Sequence, residues 1–241
     1  MILPKLIAHH LKHRDDPEFY RLQAEDAIQW LQKKGVRLDS SVKAIDLGCG
    51  HGVFGDQLLK FGCEVTFSDE QNLLIDRLRH HPFKAFNIDA QEMRELGEFD
   101  LVICSNVYEH LSKPEKFLAT FHECLKPGGR FYLSWTNWLS PWGGHEFSPF
   151  HYLGPRLGPR VADKLTGRKR LHTPFENLFP TSIGRTLGLL KKNTAVRTVA
   201  AAPRYYPEFQ FLCRIPAVRE FLTWNCALLL RKSLSTDAQS V

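Results

Sequence analysis

Apolar residues in the middle of the chain fall into short runs of strand length, separated by segments with helical spacing. The strand-like runs are residues 42–48, 63–69, 83–89, 99–106 and 130–135. The segments with helical spacing are residues 53–61, 71–80 and 114–125. Strands that alternate with helices are typical of βαβ units, in which neighbouring strands run parallel. The pattern therefore predicts an α/β fold with a doubly wound, mostly parallel sheet.

Two further strand-like runs near the C-terminus complete this pattern. Residues 181–192 have helical spacing, and residues 196–203 and 224–232 are predicted to be strands. We expect these two strands to form a hairpin-like pair that ends the sheet.

The N-terminal 38 residues are predicted to be helical. Residues 2–14 place Leu3, Leu6 and Leu11 on one stripe of a short basic helix, which either lies on a membrane surface or packs on the domain. A second helix is predicted over residues 19–33, with Gly35 as its C-cap.

Composition narrows the class of protein only slightly. The 241 residues have ordinary hydrophobic content, and no apolar run approaches the roughly 20 residues that a membrane span needs. The N-terminus does not resemble a signal peptide, and the six cysteines are scattered without a C-x-x-C pair, which favours reduced thiols in the cytoplasm. The net charge of +6 fits an anionic partner or an ordinary solvated surface equally well.

Three glycines within five residues follow the first strand of the sheet. Gly48, Gly50 and Gly52 would be costly inside a packed element, so they indicate either a tight turn or a turn that lies against a ligand. Parallel sheets bind ligands at the carboxyl ends of their strands. The next strands end in polar pairs, which are Asp69-Glu70, Asp89-Ala90 and Ser105-Asn106. With Asp46 before the glycines, these residues suit a ligand that has an adenosine and a cationic amino-acid end but no phosphates.

At these positions the chain resembles the class I S-adenosylmethionine-dependent methyltransferases, particularly those that act on small molecules and lipids. The matching stretches are AIDLGCGHG (44–52), VTFSDE (65–70), FNIDAQEM (86–93), FDLVICSNVYEHL (99–111) and FHECLKPGGRFYLS (121–134). The resemblance implies a Rossmann-like sheet of seven strands, S-adenosylmethionine as the cofactor and S-adenosylhomocysteine as its product.

The resemblance also implies roles for individual residues. Asp46 would lie near the amino end of the cofactor, Asp69 would hold the ribose, and Asp89 would accept from the adenine amino group. The residues expected to contact the cofactor are Asp46, Gly48, Cys49, Gly50, His51, Asp69, Glu70, Asp89, Ala90, Ser105 and Asn106.

Residues 137–180 interrupt the alternation of strands and helices. This segment is rich in Gly, Pro, His and aromatic residues, and a long irregular stretch inside a compact domain is usually functional. We expect one methyltransferase domain over residues 1–241. Its parts are an N-terminal helical cap (1–38), a cofactor-binding core (42–136), an acceptor-site lid (137–180) and the C-terminal part of the sheet (181–232).

The lid carries the candidate residues for the acceptor site. An alcohol acceptor needs a proton acceptor, and His145 is the preferred candidate, with Glu146, His151 and His172 as alternatives. Residues expected to contact the substrate are Tyr108, Trp138, Trp142 and Tyr152. The spacing matches no familiar metal motif, so no metal is expected, and His110 is interpreted as structural.

Three functions remain open at this point. The preferred one is methylation of a small-molecule, lipid or glycolipid acceptor by an enzyme that is cytoplasmic or peripheral at the inner membrane face. No nucleic acid partner is expected. The basic residues that could meet a phosphate, an anionic sugar or a lipid head group are Arg156, Arg160, Lys164, Arg168, Lys169 and Arg170. The alternatives are a protein or RNA methyltransferase and a non-catalytic cofactor-binding protein. The oligomeric state is left open.

Overall fold

Seven strands form one sheet in the computed structural model, which describes residues 1–13, 16–167 and 170–234. The strands are β1 (Lys43–Leu47), β2 (Glu64–Asp69), β3 (Phe83–Ala85), β4 (Phe99–Ser105), β5 (Leu125–Thr136), β6 (Val196–Pro203) and β7 (Asn225–Lys232). Their order across the sheet is β3-β2-β1-β4-β5-β7-β6. Strands β1 to β5 pair in parallel, whereas β7 is antiparallel to both β5 and β6. The predicted fold class and its terminal strand pair are confirmed.

The strand order reverses between β1 and β4, which lie side by side at the centre of the sheet. Such a switch point leaves a crevice at the carboxyl ends of the two strands, where α/β proteins bind their ligands. The glycine turn (residues 48–52) follows β1, and Asn106 follows β4. The sheet therefore brings these two stretches to the same edge.

Helices cover both faces of the sheet. They are α1 (Leu3–His13), α2 (Pro17–Lys33), α3 (Val53–Leu59), α4 (Pro114–Thr120), α5 (Leu157–Thr166), α6 (Ile183–Leu190) and α7 (Val218–Leu222). Strand residues alternate between two cores, so that Ile45 and Val102 pack on one face while Ala44 and Leu101 pack on the other. Because both faces are covered, the strands are almost entirely apolar.

Two predicted elements differ from the structure. Residues 71–80 contain only a 3-10 turn (Asp76–Leu78) instead of a helix. Leu74 and Leu78 are buried here against the turn at Gly52, whereas Leu73 is exposed. The apolar spacing therefore reflects the burial of two leucines and not the apolar face of a continuous helix. The predicted strand over residues 83–89 ends early because the side chain of Asn87 accepts from the backbone N–H groups of the next turn.

The N-terminal helix α1 packs on the domain along much of its apolar stripe. Leu6 is buried, and the backbone N–H groups of Ile2 and Leu3 both donate to the carbonyl of Tyr205, at 3.0 and 3.2 Å. Leu11, in contrast, is 71% exposed, and Arg14 lies outside the described residues. None of the helices in the described part of the chain is both long and apolar enough to cross a membrane.

Residues 137–180 are called the insert segment below, and its described residues are more ordered than the sequence predicts. They contain α5, two 3-10 turns and a small hydrophobic cluster of Trp138, Phe147, Ala162 and Leu178. The insert segment is fastened to the sheet domain by backbone hydrogen bonds, including one of 2.7 Å from Phe179 N to the carbonyl of Glu109. Its own core explains how a segment so rich in Gly and Pro holds a defined shape.

Candidate active site

The three glycines of the glycine turn all have a positive φ, but they serve different purposes. A Cβ on Gly48 would overlap Cγ2 of Val107, and a Cβ on Gly52 would lie 2.6 Å from Cδ2 of Leu74. A Cβ on Gly50 would meet nothing within 4 Å. Gly48 and Gly52 therefore allow close packing beneath the turn, while Gly50 borders open space. The packing explanation holds for Gly48 and Gly52, and a ligand contact at Gly50 stays a prediction.

Asp46 is a buried carboxyl group at the end of β1. It is only 3% exposed, and its Oδ2 accepts a hydrogen bond of 2.8 Å from Gly55 N. Burial raises the pKa of Asp46 to about 7, and the nearby charge of Asp69 adds to this, although the bond from Gly55 opposes it. A cation close to this carboxylate would favour its ionised form.

Asp69 joins the end of β2 to the glycine turn. Its Oδ2 accepts from Gly50 N at 2.8 Å, and its Oδ1 accepts from Glu70 N at the same distance. Glu70 in turn accepts a hydrogen bond of 2.7 Å from the side-chain amide of Asn87. The turn also contains Cys49, whose thiol pKa is raised by burial, and His51, whose Nδ1 is 2.9 Å from the carbonyl oxygen of Leu73.

The polar groups after β3 are occupied by neighbouring backbone. The carboxylate of Asp89 accepts from the backbone N–H groups of Ser112 and Lys113, at 2.8 and 3.1 Å. Ala90 N donates to Oδ1 of Asn87 at 3.0 Å. Carboxylate oxygens can accept further bonds, so an adenine contact for Asp89 stays a prediction.

The loop after β4 begins at Asn106, which has a φ of +55°. Its side-chain Oδ1 accepts from Nη1 of Arg204 at 3.1 Å and from Nδ2 of Asn225 at 3.0 Å. Ser105 accepts a hydrogen bond of 3.0 Å from the hydroxyl of Ser134 on β5. Asn106 is thus held by residues from the last two strands of the sheet.

Arg204 is a functional candidate that the sequence patterns did not single out. It is 3% exposed, and both Nε and Nη2 of its guanidinium are buried without a hydrogen-bond partner. The guanidinium lies over the ring of Phe54 at 5.3 Å, immediately beyond the glycine turn. Arg204 follows β6. Because β7 is antiparallel to both β5 and β6, β6 runs in the same direction as β5, and its carboxyl end lies at the same edge of the sheet. The rule that ligands meet the carboxyl ends of strands, if extended to β6, would have found it.

The amino-acid sequence that forms this edge of the sheet belongs to a longer stretch that matches a known family. The sequence model of a methyltransferase domain matches residues 16–165 of the chain. The chain belongs to the class I S-adenosylmethionine-dependent methyltransferases. It is 39% identical to an uncharacterized methyltransferase of Mycolicibacterium gilvum, in an alignment that covers 94% of this chain and 92% of the relative.

Solved structures share the fold of this methyltransferase. An S-adenosylmethionine-dependent methyltransferase from Mesorhizobium loti has a TM-score of 0.59 at 18% identity, covering 86% of this chain and 98% of the other. The 1,6-didemethyltoxoflavin-N1-methyltransferase of Burkholderia thailandensis was solved with bound 1,6-didemethyltoxoflavin and S-adenosylhomocysteine. Its TM-score is 0.53 at 16% identity, covering 95% of this chain and 86% of the other.

The residues of the crevice fit S-adenosylmethionine, the cofactor of this methyltransferase. Gly50 borders open space, and the carboxylate of Asp69 lies within hydrogen-bond distance of the Gly50 backbone. The raised pKa of the buried Asp46 is what a nearby ammonium group would counteract. These observations agree with the expected ammonium contact of Asp46 and ribose contact of Asp69, which remain predictions.

The structure brings together three of the four candidate bases, His145, Glu146 and His172, and adds His110 to them. One metal-ligating nitrogen from each of His110, His145 and His172 lies within 4.8 Å of the others; these residues are the histidine cluster. Nδ1 of His172 is 2.8 and 2.9 Å from the carboxylate oxygens of Glu146. Burial, followed by the charges of His172 and His110, lowers the pKa of His145 to about 4. Burial raises the pKa of Glu146, but the hydrogen bond from His172 brings it below the usual value.

His151, the fourth candidate base, lies apart from this cluster in a packing role. Its side chain is completely buried, with Nε2 at 2.9 Å from the carbonyl oxygen of Ser140. The imidazole meets the ring of Trp138 edge-on, with the ring centroids 5.7 Å apart. Burial lowers the pKa of His151. These contacts favour a structural function for His151 over proton transfer.

The expected substrate contacts are divided between the core and the surface. Tyr108 is buried in the main core, where its hydroxyl is 3.2 Å from that of Thr186, and the structure thus gives it a packing position in place of a substrate contact. Trp138 belongs to the core of the insert segment. Trp142 and Tyr152 are exposed, so both can still meet an acceptor.

The basic residues around α5 differ in their surroundings. Arg170 is paired with Asp163 through hydrogen bonds of 2.7 and 2.9 Å. Arg160 and Lys164 are exposed on α5. Arg168 and Lys169 lie outside the described residues.

Proposed function

We propose that this methyltransferase methylates a small organic acceptor that carries an anionic group, and that Arg204 binds this group. The observation behind the proposal is the pair of guanidinium nitrogens, Nε and Nη2, that are buried without partners. A buried charged group without hydrogen bonds is costly, so such a group is usually completed by a ligand or an ion. A carboxylate or phosphate oxygen is the natural partner of a guanidinium.

No carboxylate of the described residues lies within ion-pair distance of Arg204, although one is close enough to affect it. Asp26 on α2 has a buried Oδ2 without a partner. Burial raises the pKa of Asp26, while the charge of Arg204 lowers it, and the net result is a raised pKa. Asp26 therefore balances part of the charge of Arg204 without satisfying its N–H groups, which leaves those donors for an anion.

The position of Arg204 supports an acceptor site beside the cofactor crevice. Arg204 contacts Asn106 after β4 and Phe54 after the glycine turn, which flank the switch point of the sheet. S-adenosylmethionine supplies an activated methyl group on a sulfonium. An anion held at Arg204 would fix the orientation of the acceptor, which is the main contribution that a protein makes to a displacement reaction.

A lipid acceptor at the inner membrane face is a second candidate, because the insert segment exposes apolar and basic side chains together. Leu157 and Leu165 are exposed on α5 along with Arg160 and Lys164, and Leu171 is exposed shortly after it. Apolar side chains bordered by positive charges are typical of surfaces that lie on anionic lipid. An anionic lipid head group would offer Arg204 the same chemistry as a soluble anion.

The acceptor class can be tested by transfer of labelled methyl groups from S-adenosylmethionine into an extract of the source organism. The products are separated into anionic and neutral small molecules, lipid, protein and RNA. We expect label in the anionic small molecules. Label in lipid would favour the second candidate, and label in neutral molecules, protein or RNA would overturn the proposal.

The role of Arg204 can be tested separately with the acceptor that the extract reveals. Arg204→Met should raise the KM for that acceptor at least about tenfold, which is 1.4 kcal/mol, while the Kd for S-adenosylmethionine changes less than about twofold. Arg197→Met, on the exposed part of β6, is the matched control and should change neither value. A weakened affinity for S-adenosylmethionine alone would mean that Arg204 holds the cofactor carboxylate instead. Arg204→Lys replaces the methionine variant if that variant does not fold.

A further inference from the structure

Three histidines from distant parts of the sequence meet at one point. His110 ends the 3-10 turn after β4, whereas His145 and His172 belong to the insert segment. Their ring centroids are 4.5 Å apart for His145 and His172, 5.2 Å for His110 and His172, and 5.6 Å for His110 and His145. Within the described residues this is the one group of three potential metal ligands at such distances.

Second partners fix the tautomers of two of these histidines. Nδ1 of His110 is 2.6 Å from the carbonyl oxygen of Asn177, which can only accept, so this nitrogen carries the proton. Nδ1 of His172 faces the carboxylate of Glu146 and donates to it in the same way. A neutral imidazole that donates from Nδ1 has its lone pair on Nε2. Metal-binding histidines show this arrangement, with the other ring nitrogen bonded to a carboxylate or carbonyl.

The third histidine is held in a strained position and has an unsatisfied nitrogen. His145 has a φ of +48°, which is unfavourable for a residue other than glycine. Gly143, two residues earlier, is required in the same turn because a Cβ on it would overlap the carbonyl of Trp138. Nδ1 of His145 is buried without a hydrogen-bond partner. The fold therefore holds His145 in an unfavourable backbone conformation that keeps its imidazole beside the other two.

We propose that His110, His145 and His172 bind one divalent transition-metal ion of the Zn²⁺ type, which fastens the insert segment to the sheet domain. Three imidazoles suit Zn²⁺ and leave a fourth position for water or an oxygen atom. Tetrahedral ligands at about 2.0–2.1 Å from zinc are about 3.3 Å apart, so modest side-chain rotations would close the present spacing. Glu146 is a positioning residue that orients His172 and balances part of the metal charge.

This assignment changes three interpretations made from the sequence. His145 and His172 become metal ligands instead of candidate bases, and His110 has a binding function where a structural one was expected. The expectation that the protein binds no metal is replaced as well. The spacing of His145, His151 and His172 could not indicate the site, because the third ligand comes from the other side of α4 and β5 in sequence.

The proposal can be tested by metal binding to the chelator-treated full chain, with Zn²⁺ alone as the probe. We expect one equivalent of tightly bound Zn²⁺ by calorimetry and elemental analysis, and Co²⁺ should give the absorption bands of a tetrahedral site. His110→Gln, His145→Gln and His172→Gln should each lower the Zn²⁺ affinity at least about 100-fold, and Glu146→Gln should lower it about 10- to 100-fold. Chelation should lower the Tm of the wild-type protein but not that of His110→Gln.

The control must exclude binding by other histidines. His80 and His81 are adjacent, with ring centroids 4.1 Å apart, and lie outside the cluster. The double variant His80→Gln/His81→Gln should keep the full Zn²⁺ affinity. Retained affinity in the cluster variants, or no binding to a wild-type protein that binds S-adenosylmethionine normally, would overturn the proposal. Since S-adenosylmethionine binding is measured in the same samples, failure of the metal site is distinguishable from misfolding.

Discussion

The glycine turn and the histidine cluster are built in opposite ways. The turn uses consecutive backbone groups held between the ends of β1 and β2, where Gly50 N donates to Asp69. The cluster uses side chains from three separate stretches, and two of them, His110 and His172, are each held by a second contact. A methyl group added to Gly48 should therefore disrupt the turn by steric overlap, whereas the cluster should be disrupted by removal of one polar contact. The comparison implies that the two regions can fail independently.

The largest expected effect concerns Asp46, at the base of the glycine turn. Its folded-state pKa of about 7 lies above the ordinary value of 3.8, so between these values the folded protein binds more protons than the unfolded chain. The free energy of unfolding should therefore fall as pH rises from about 4 to about 7, by about 4 kcal/mol in total for this group.

Asp46→Asn should remove this part of the pH dependence, because an amide oxygen can still accept from Gly55 N but does not ionise. The measurement is urea unfolding of both proteins at a series of pH values. Asp163→Asn, on exposed α5, is the control. The hydrogen bonds from Arg170 lower the pKa of Asp163, so this variant should leave the slope between about pH 5 and 7 unchanged. Equal slopes in wild type and Asp46→Asn would contradict the buried carboxyl argument.

The second effect separates packing from ligand contact within the turn. Gly48→Ala should destabilise the protein by about 3 kcal/mol, because the new Cβ would overlap Val107 and the φ is +71°. Gly50→Ala has a positive φ but open space, so it should cost only about 1 kcal/mol of stability. Chemical denaturation measures both values.

A second-site change sharpens this result. Val107→Ala should restore part of the stability of Gly48→Ala, because it removes both Cγ atoms that the new Cβ would meet. It should do nothing for Gly50→Ala. Equal destabilisation by the two glycine substitutions would mean that backbone conformation alone, and not the approach of Val107, explains Gly48.

These contrasts also show which features could be predicted from the sequence. The sheet and the glycine turn were predictable because each rests on residues that are close in sequence, such as the run from Ala44 to Gly52. Arg204 and His110 were not, because their importance comes from partners that only the folded chain brings near. The expected substrate contact of Tyr108 illustrates the same limit. Tyr108 follows Ser105 and Asn106 closely in sequence, but its ring is buried in the core.

The third effect tests whether the insert segment fails independently of the cofactor crevice. His151→Ala removes a buried ring and its bond to the carbonyl of Ser140, and should lower stability by about 2 kcal/mol. The affinity for S-adenosylmethionine should change less than about twofold, because His151 lies apart from the cofactor crevice. Thermal unfolding and calorimetry give the two values. Parallel losses of stability and affinity would show that the insert segment and the crevice form one unit.

The smallest expected change in free energy concerns cofactor binding by Asp69. Asp69→Ala removes the predicted ribose acceptor and the acceptor for Gly50 N, so the Kd for S-adenosylmethionine should rise at least about tenfold, or 1.4 kcal/mol. Asp69→Asn can still accept from Gly50 N, and it separates the two contributions. If Asp69→Asn binds like wild type while Asp69→Ala does not, the carboxylate acts mainly by shaping the turn. If both variants bind weakly, the negative charge itself meets the ribose, and an unchanged Kd in both would remove Asp69 from the cofactor site.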